Sequence, residues 1–154
     1  MPLAAGDRLG PYELVSAAGT WSMGEIWKAR DTRMERAVAL KISQTQFPEP
    51  FVSNLRSVSE LNHPHICKLY DIGPHYLASE WIEGAPLRGP LPQAEALRFA
   101  FEIADALEYA HKRGIPHGDL NSSKILVTHL GVQVLDWGTP PSQAAAAAPD
   151  DEEE

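Results

Sequence analysis

The chain is expected to fold as an α+β domain, with a five-stranded antiparallel sheet carrying one helix, then a mostly helical part that ends in a short β-hairpin. Three observations predict this. β-type runs dominate the chain up to Ile82, an almost wholly apolar helical segment covers Ala94 to Ala110, and Gly- and Pro-bearing turns separate the runs.

Tyr12 to Val15, Glu25 to Ala29 and Ala37 to Ile42 are apolar or β-branched between turn-forming residues, and read as an antiparallel meander. Phe51, Leu55 and Val58 then recur at helical spacing, so a helix is expected from Phe51 to Leu61, preceded by Pro48 and Pro50 and stopped by His63-Pro64. Ile66 to Tyr70 and Tyr76 to Ile82 complete the sheet across a turn at Gly73-Pro74. Between Ala94 and Ala110 the polar residues are Glu95, Arg98, Glu102, Asp105 and Glu108, a narrow stripe on an otherwise apolar helix. Gly114-Ile115-Pro116 ends that helix, and Ile125 to Thr128 with Val132 to Leu135 read as a hairpin turning at Leu130-Gly131. The expected organisation is an N-terminal segment 1–11, a first lobe with its connector over 12–82, a partial second lobe over 83–138, and a disordered Ala-rich, acidic tail over 139–154.

At 154 residues with 44% hydrophobic and 22% charged side chains, the composition fits one packed domain and argues against wholesale disorder, collagen or coiled coil. The formal charge of −8 carries no basic stripe, which argues against nucleic acid or an anionic membrane as partner. Five of those negatives lie in Asp150 to Glu154, so the rest of the chain is nearly balanced. With no apolar run of membrane-spanning length and no leader-like N-terminus, a cytoplasmic protein is expected. Cys67, the single cysteine, excludes internal disulfides and is expected as a small buried hydrophobe.

Each chemical motif is weak alone. Gly19 to Gly24 reads equally as an ordinary hairpin loop, Lys41 as a lysine at a strand end, and His117-Gly118-Asp119-Leu120 as a satisfied histidine with a capping aspartate. Their order decides. A glycine-flanked strand-loop-strand, a lysine on the third strand, a helix, Asn62-His63-Pro64, a long helix, His117-x-Asp119-Leu120 and Asp136-Trp137-Gly138 follow the signature order of a protein kinase.

From Tyr12 to Gly138 the chain resembles the protein kinase family, in texture the bacterial serine/threonine kinases. Met23-Gly24-Glu25-Ile26-Trp27, Ala29-Arg30-Asp31-Thr32-Arg33, Leu61 to Cys67 and Gly114 to Leu120 carry the likeness. The resemblance implies a kinase-like fold with ATP or ADP between two lobes. It implies that Gly19, Trp21, Ser22 and Gly24 form the phosphate loop, and that Ile26, Ala39 and Leu126 sandwich the adenine. Ser79 would guard the back of the pocket, Glu80 and Ile82 would offer backbone hydrogen bonds along the Glu80-Trp81-Ile82 hinge, and Lys41 would neutralise phosphates. Asp119 matches the base, in vestigial form, and Asp136 the one surviving magnesium-ligand position.

Four positions at the phosphate and metal end depart from the pattern. The loop's second glycine is Trp21, whose indole shields or fills the cleft. The helix glutamate that holds the lysine is Asn54, leaving Lys41 to pair with Asp136; the phosphate-facing lysine is Asn121; the second metal ligand is Lys124. Phosphoryl transfer rests on positioning and charge neutralisation. Three missing contacts at ~3 kcal/mol each, halved for non-additivity, remove about 4–5 kcal/mol of transition-state stabilisation, roughly three decades of rate. In the opposite direction, the Lys124 ammonium is expected either to stand in for a metal beside the phosphates or simply to be solvated. Beyond Gly138 no activation segment is legible before the tail, and Gly118 replaces the arginine that answers a phosphate there. The chain therefore reads as truncated after its Asp-aromatic-Gly motif.

On the long helix, Leu97, Phe99, Phe101, Ile103, Leu107 and Tyr109 spread too widely for one shielded face, so self-association or a protein partner through 94–110 is expected. The sequence thus points to a pseudokinase that binds nucleotide weakly, a protein, or both. A minimal active serine/threonine or small-molecule kinase using Lys41, Asp119 and Asp136 is the alternative, and a nucleotide-free scaffold or decaying gene product a further one. Trp137 is expected in the core beside Val58, Leu69 and His117.

Overall fold

The computed structural model describes residues 2–138, so the acidic tail expected over 139–154 lies outside the described residues. Two compact units emerge, residues 2–52 with 69–81, and residues 53–68 with 82–138.

In the first unit, β1 (Arg8–Leu9), β2 (Tyr12–Trp21), β3 (Gly24–Asp31) and β4 (Arg36–Ser43) form a meander. Strands β5 (Leu69–Ile72) and β6 (Tyr76–Glu80) complete the antiparallel sheet, whose order is β1-β2-β3-β4-β6-β5, and helix α1 (Glu49–Val58), which precedes β5 in the chain, has its first residues in this unit and Ser53 onward in the second. It has six strands rather than the expected five, because Arg8 and Leu9 pair with Glu13 and Tyr12 within the segment read as a mere N-terminal extension. The expected strand at Ile66 to Tyr70 starts later, at Leu69; Ile66 forms a parallel bridge to Val134 instead. Helix α1 also ends earlier than Leu61, at Val58, three residues after buried Leu55.

Strand alternation sets the two faces of the sheet. Tyr12, Leu14, Trp27, Ala29, Val38, Leu40, Ile42 and Ala78 form a core on one side, while Ile26 pairs with Lys41, and Lys28 with Ala39, on the other. The β3–β4 turn is closed by Asp31, which is fully buried. Its Oδ1 accepts from the backbone N–H groups of Arg33 (3.0 Å) and Met34 (3.3 Å) and from Arg33 Nε (3.3 Å). Burial alone would push this carboxyl up; the hydrogen bonds from Arg33 and Met34 outweigh it and hold the group below its ordinary value.

In the second unit, β7 (Ala85–Pro86) precedes the long helix α2 (Gln93–His111), then a 3-10 turn (Ser122–Lys124), β8 (Ile125–Thr128) and β9 (Gly131–Val134). β7 adds a third strand to the expected hairpin. Helix α2 packs on β9, with Phe99, Ala106 and Ala110 buried. Leu97 and Phe101 are 64% and 71% exposed, as the pattern predicts, whereas Phe99 is buried and the Tyr109 hydroxyl accepts from Asn62 N at 2.9 Å. The polar stripe is not uniformly solvated either. Glu102 is only 14% exposed at its side chain, because its carboxylate reaches inward to accept from Val132 N at 2.9 Å. Cys67 is half-buried rather than buried, with its N–H on Val134 O at 3.0 Å.

A strand N–H that loses a charged acceptor in a shielded place costs about 1.5–3 kcal/mol, whereas an exposed helix carboxylate is worth a few tenths. Glu102→Ala is therefore expected to lower unfolding stability by roughly that larger amount and Glu95→Ala by under about 0.5 kcal/mol, as read by urea denaturation.

Candidate functional site

Residues expected to contact nucleotide fall in both units. In the first, β2 and β3 shift register between Leu14 and Ser16 and again between Ala17 and Gly19, then stay paired to Trp21↔Gly24, so the Gly19 to Gly24 stretch is the tight end of a hairpin, with only Ser22 and Met23 beyond the pairing. Gly24 is required sterically. A Cβ there would run into the Ile42 carbonyl oxygen. The Trp21 indole turns back onto the sheet: Nε1 donates to Ile42 O at 3.0 Å, the ring meets Phe47 edge-on at 6.3 Å, and Lys41 Nζ lies 5.5 Å from its centroid. A residue that normally opens a phosphate loop is here an anchored lid beside the lysine, with a cation–π contact. Lys41, 9% exposed, sits between its ladder partners Ile26 and Leu77. Ala39 pairs with Ser79, and Glu80 pairs with Val38 at the end of β6.

The second unit supplies a chain of polar residues on either side of β8. His117 is buried, and its Nε2 donates to Leu135 O at 2.6 Å while Nδ1 accepts from Asp119 N at 3.1 Å. The Trp137 ring lies 4.8 Å away, tilted by 59°, and donates through Nε1 to Val134 O, in agreement with its expected core role beside His117. Gly118 between them has φ +97°, a left-handed backbone that any L side chain adopts with strain.

Lys124 ends the 3-10 turn with its side chain 15% exposed. Its Nζ donates to Asp136 Oδ2 at 3.1 Å and stands 3.8 Å from Asp119 Oδ2. Asp136 adopts φ 62°, a conformation that aspartate tolerates better than most residues. Asn121, which stands where the pattern has a phosphate-facing lysine, is the N-cap of the 3-10 turn. Its Oδ1 accepts from Ser123 N and Oγ, and its Nδ2 donates to Asp119 O at 3.3 Å. Asn54 donates from Nδ2 to Gly138 O at 3.4 Å, a long bond that ties it to the Asp136-Trp137-Gly138 turn. Leu126 is half-buried in β8 opposite Gln133.

Sequence reasoning missed the capping role of Asn121, although Asn-x-Ser is an Asx-turn pattern, and the inward turn of Glu102, for which periodicity holds no signal. The kinase pattern implies a magnesium ion at Asp136, and the donor set does not fit one. The ammonium of Lys124 already holds Asp136 Oδ2 and stands 3.8 Å from the neighbouring carboxylate of Asp119, in the place where the family carries the second metal ligand. A divalent ion about 4 Å from that ammonium would meet roughly 8 kcal/mol of repulsion at an effective dielectric constant of about 20.

A family model described as the protein kinase domain matches residues 12–148. Among curated proteins, the chain is 32% identical over 146 residues to serine/threonine-protein kinase PrkC of Bacillus subtilis, and 36% over 139 residues to serine/threonine-protein kinase PknD of Mycobacterium tuberculosis. The matches cover 84% and 80% of this chain but only 22% and 21% of those proteins, so the chain spans about a fifth of their length. Among solved structures, the kinase domain of M. tuberculosis PknI aligns with a TM-score of 0.76 at 26% identity, covering 89% of this chain and 62% of that one. No helix among the described residues is long and apolar enough to cross a membrane.

Burial pushes the His117 imidazole below its ordinary value of 6.5, outweighing the Leu135 carbonyl, Asp136 and Asp119, which pull it up, while Lys124 adds to the depression. Protonating Nδ1 would also turn the acceptor for Asp119 N into a donor. Because the folded value lies below the unfolded one, this group's contribution is complete above pH 6.5 and is lost as pH falls from there through the folded value. His117→Gln is expected to lower stability at pH 7.5 and to flatten the decline between pH 6.5 and 5, measured by urea denaturation at both ends.

Proposed function

The chain belongs to the protein kinase family, and from that premise we propose that it acts as a pseudokinase-like nucleotide-binding domain with little or no phosphotransfer. One observation carries the reading: Lys124 is paired with Asp136, the surviving metal-ligand position. The wider phosphate-end chemistry agrees. Asn54 offers an amide where the family has a carboxylate, and Trp21 lies on Lys41 where the family has a glycine. The adenine end keeps what it needs. Ile26, Ala39 and Leu126 are apolar, and Glu80 and Ile82 offer backbone groups whose hydrogen bonding is indifferent to side chain. ATP or ADP is the proposed ligand, with Lys41 on its phosphates and Gly19, Ser22 and Gly24 along the loop. The exposed Leu97 and Phe101 on α2 are the proposed contact for a protein partner or a second copy, and the proposed location is the cytoplasm.

A second reading has one observation in its favour. Asp119 Oδ2 is buried with no hydrogen-bond partner, as a proton-accepting carboxylate would be left, so a minimal kinase using Lys41, Asp119 and Asp136 stays in contention.

ATP at about tenfold its Kd is expected to raise the melting temperature by about 3 °C or more, since a ligand of the native state stabilises by mass action. Lys41→Ala should remove that shift. Persistence of the shift in Lys41→Ala would displace the site, and absence of any shift at millimolar ATP would leave the scaffold reading. Incubation with γ-labelled ATP should transfer no label to the chain or to a generic protein acceptor; transfer that Asp119→Asn abolishes would establish the minimal kinase.

A further inference from the structure

Lys124 is the side chain whose chemistry differs most from what its position demands. Two carboxylates, Asp136 and Asp119, lie 3.1 and 3.8 Å from its ammonium, with all three side chains no more than 20% exposed. A divalent cation on Asp136 would need an oxygen about 2.1 Å away and an octahedral shell of ligands around it. One of its two carboxylate oxygens, Oδ2, already accepts from Nζ, and the Asp119 carboxylate beside it faces the same ammonium. Asn121, the other polar side chain of this loop with a carbonyl oxygen to offer, spends that oxygen on Ser123.

We propose that Lys124 is a built-in replacement for the divalent cation: its ammonium keeps magnesium out of the Asp119/Asp136 pair and itself meets the nucleotide's phosphates, so that nucleotide binds without metal. The exclusion of metal stands on this geometry alone, whereas the phosphate contact rests on the nucleotide reading above. An ammonium has three N–H donors, and one is spent on Asp136. The remaining donors suit phosphate oxygens that carry no magnesium of their own. Metal-free ATP is therefore the preferred form over the magnesium complex, which brings two positive charges toward an ammonium.

The two parts are tested separately. Manganese alone, with no nucleotide, is titrated into the full chain and the free ion is read by electron paramagnetic resonance. The wild type, Lys124→Asn, and Lys124→Asn combined with Asp136→Asn are compared; the acidic residues 150–154 are common to all three. Lys124→Asn is expected to gain one site at least tenfold tighter than any in the wild type, and the double variant to lose it. A wild-type manganese site that Asp136→Asn removes overturns the proposal, as does a natively melting Lys124→Asn with no gain. Should Lys124→Asn not fold, Lys124→Gln takes its place, and the wild type with Asp136→Asn still decides the first outcome.

For the phosphate contact, ATP-induced melting shifts are measured in EDTA and in 5-fold molar excess of magnesium over ATP. The wild-type shift should be equal or larger in EDTA, and Lys124→Asn should reverse that order. A wild-type shift that appears only with magnesium overturns the proposal. No shift in either buffer fails the nucleotide reading and overturns the phosphate contact with it, while the manganese comparison still decides whether Lys124 excludes metal.

Discussion

The arrangement of the second unit depends on one buried neutral imidazole. His117 donates to Leu135 O and accepts from Asp119 N, so a single ring joins the loop after α2 to the strand end after β9. Those two attachments bring Asp119, Lys124 and Asp136 to one place although they are spread over 18 positions of sequence. Both ring nitrogens are used, so only the tautomer protonated at Nε2 satisfies both partners. Trp137 shields the ring from water, which is also what depresses its basicity. Packing and protonation are thus one constraint.

Within that frame the charges settle locally. A carboxylate that is left shielded from water must be paired, hydrogen-bonded or ligated. In an active kinase-type site the partner is a metal ion delivered with the nucleotide. Here Lys124 supplies the positive charge from within the chain. Asn121 and Asn54, at two other positions where the family carries charge, have likewise become structural, one capping the 3-10 turn and the other reaching the Gly138 carbonyl. The substitutions share a direction: groups that would serve a phosphate or a metal are spent on the protein itself. The sheet unit shows the same tendency in Trp21, whose indole N–H is committed to the Ile42 carbonyl.

Much of the fold was legible. Strands β3, β4, β6, β8 and β9 and helix α2 appear close to their expected places, because alternation and helical spacing are local signals that survive folding. The errors fell where a pairing partner, not the run of residues itself, decides whether a strand forms. β1 contains two residues and exists only because β2 lies beside it, and Ile66 was drawn from the expected strand into a bridge with Val134. Glu102 matched its stripe by spacing yet turned inward, since the orphan N–H of Val132 is a better partner than water only after α2 has packed on β9.

Sequence by itself determined the family, the order of the chemical residues and the loss of particular charges, because these are matters of residue type at fixed spacing. Nothing in the order of residues reveals that Asn121 caps a turn, that Trp21 folds onto Lys41, or that Lys124 occupies the Asp136 carboxylate. Those outcomes were decided by tertiary structure. A lone lysine beside a hairpin is solvated in most settings, and it is drawn into an ion pair only when the backbone places two shielded carboxylates within 4 Å of it.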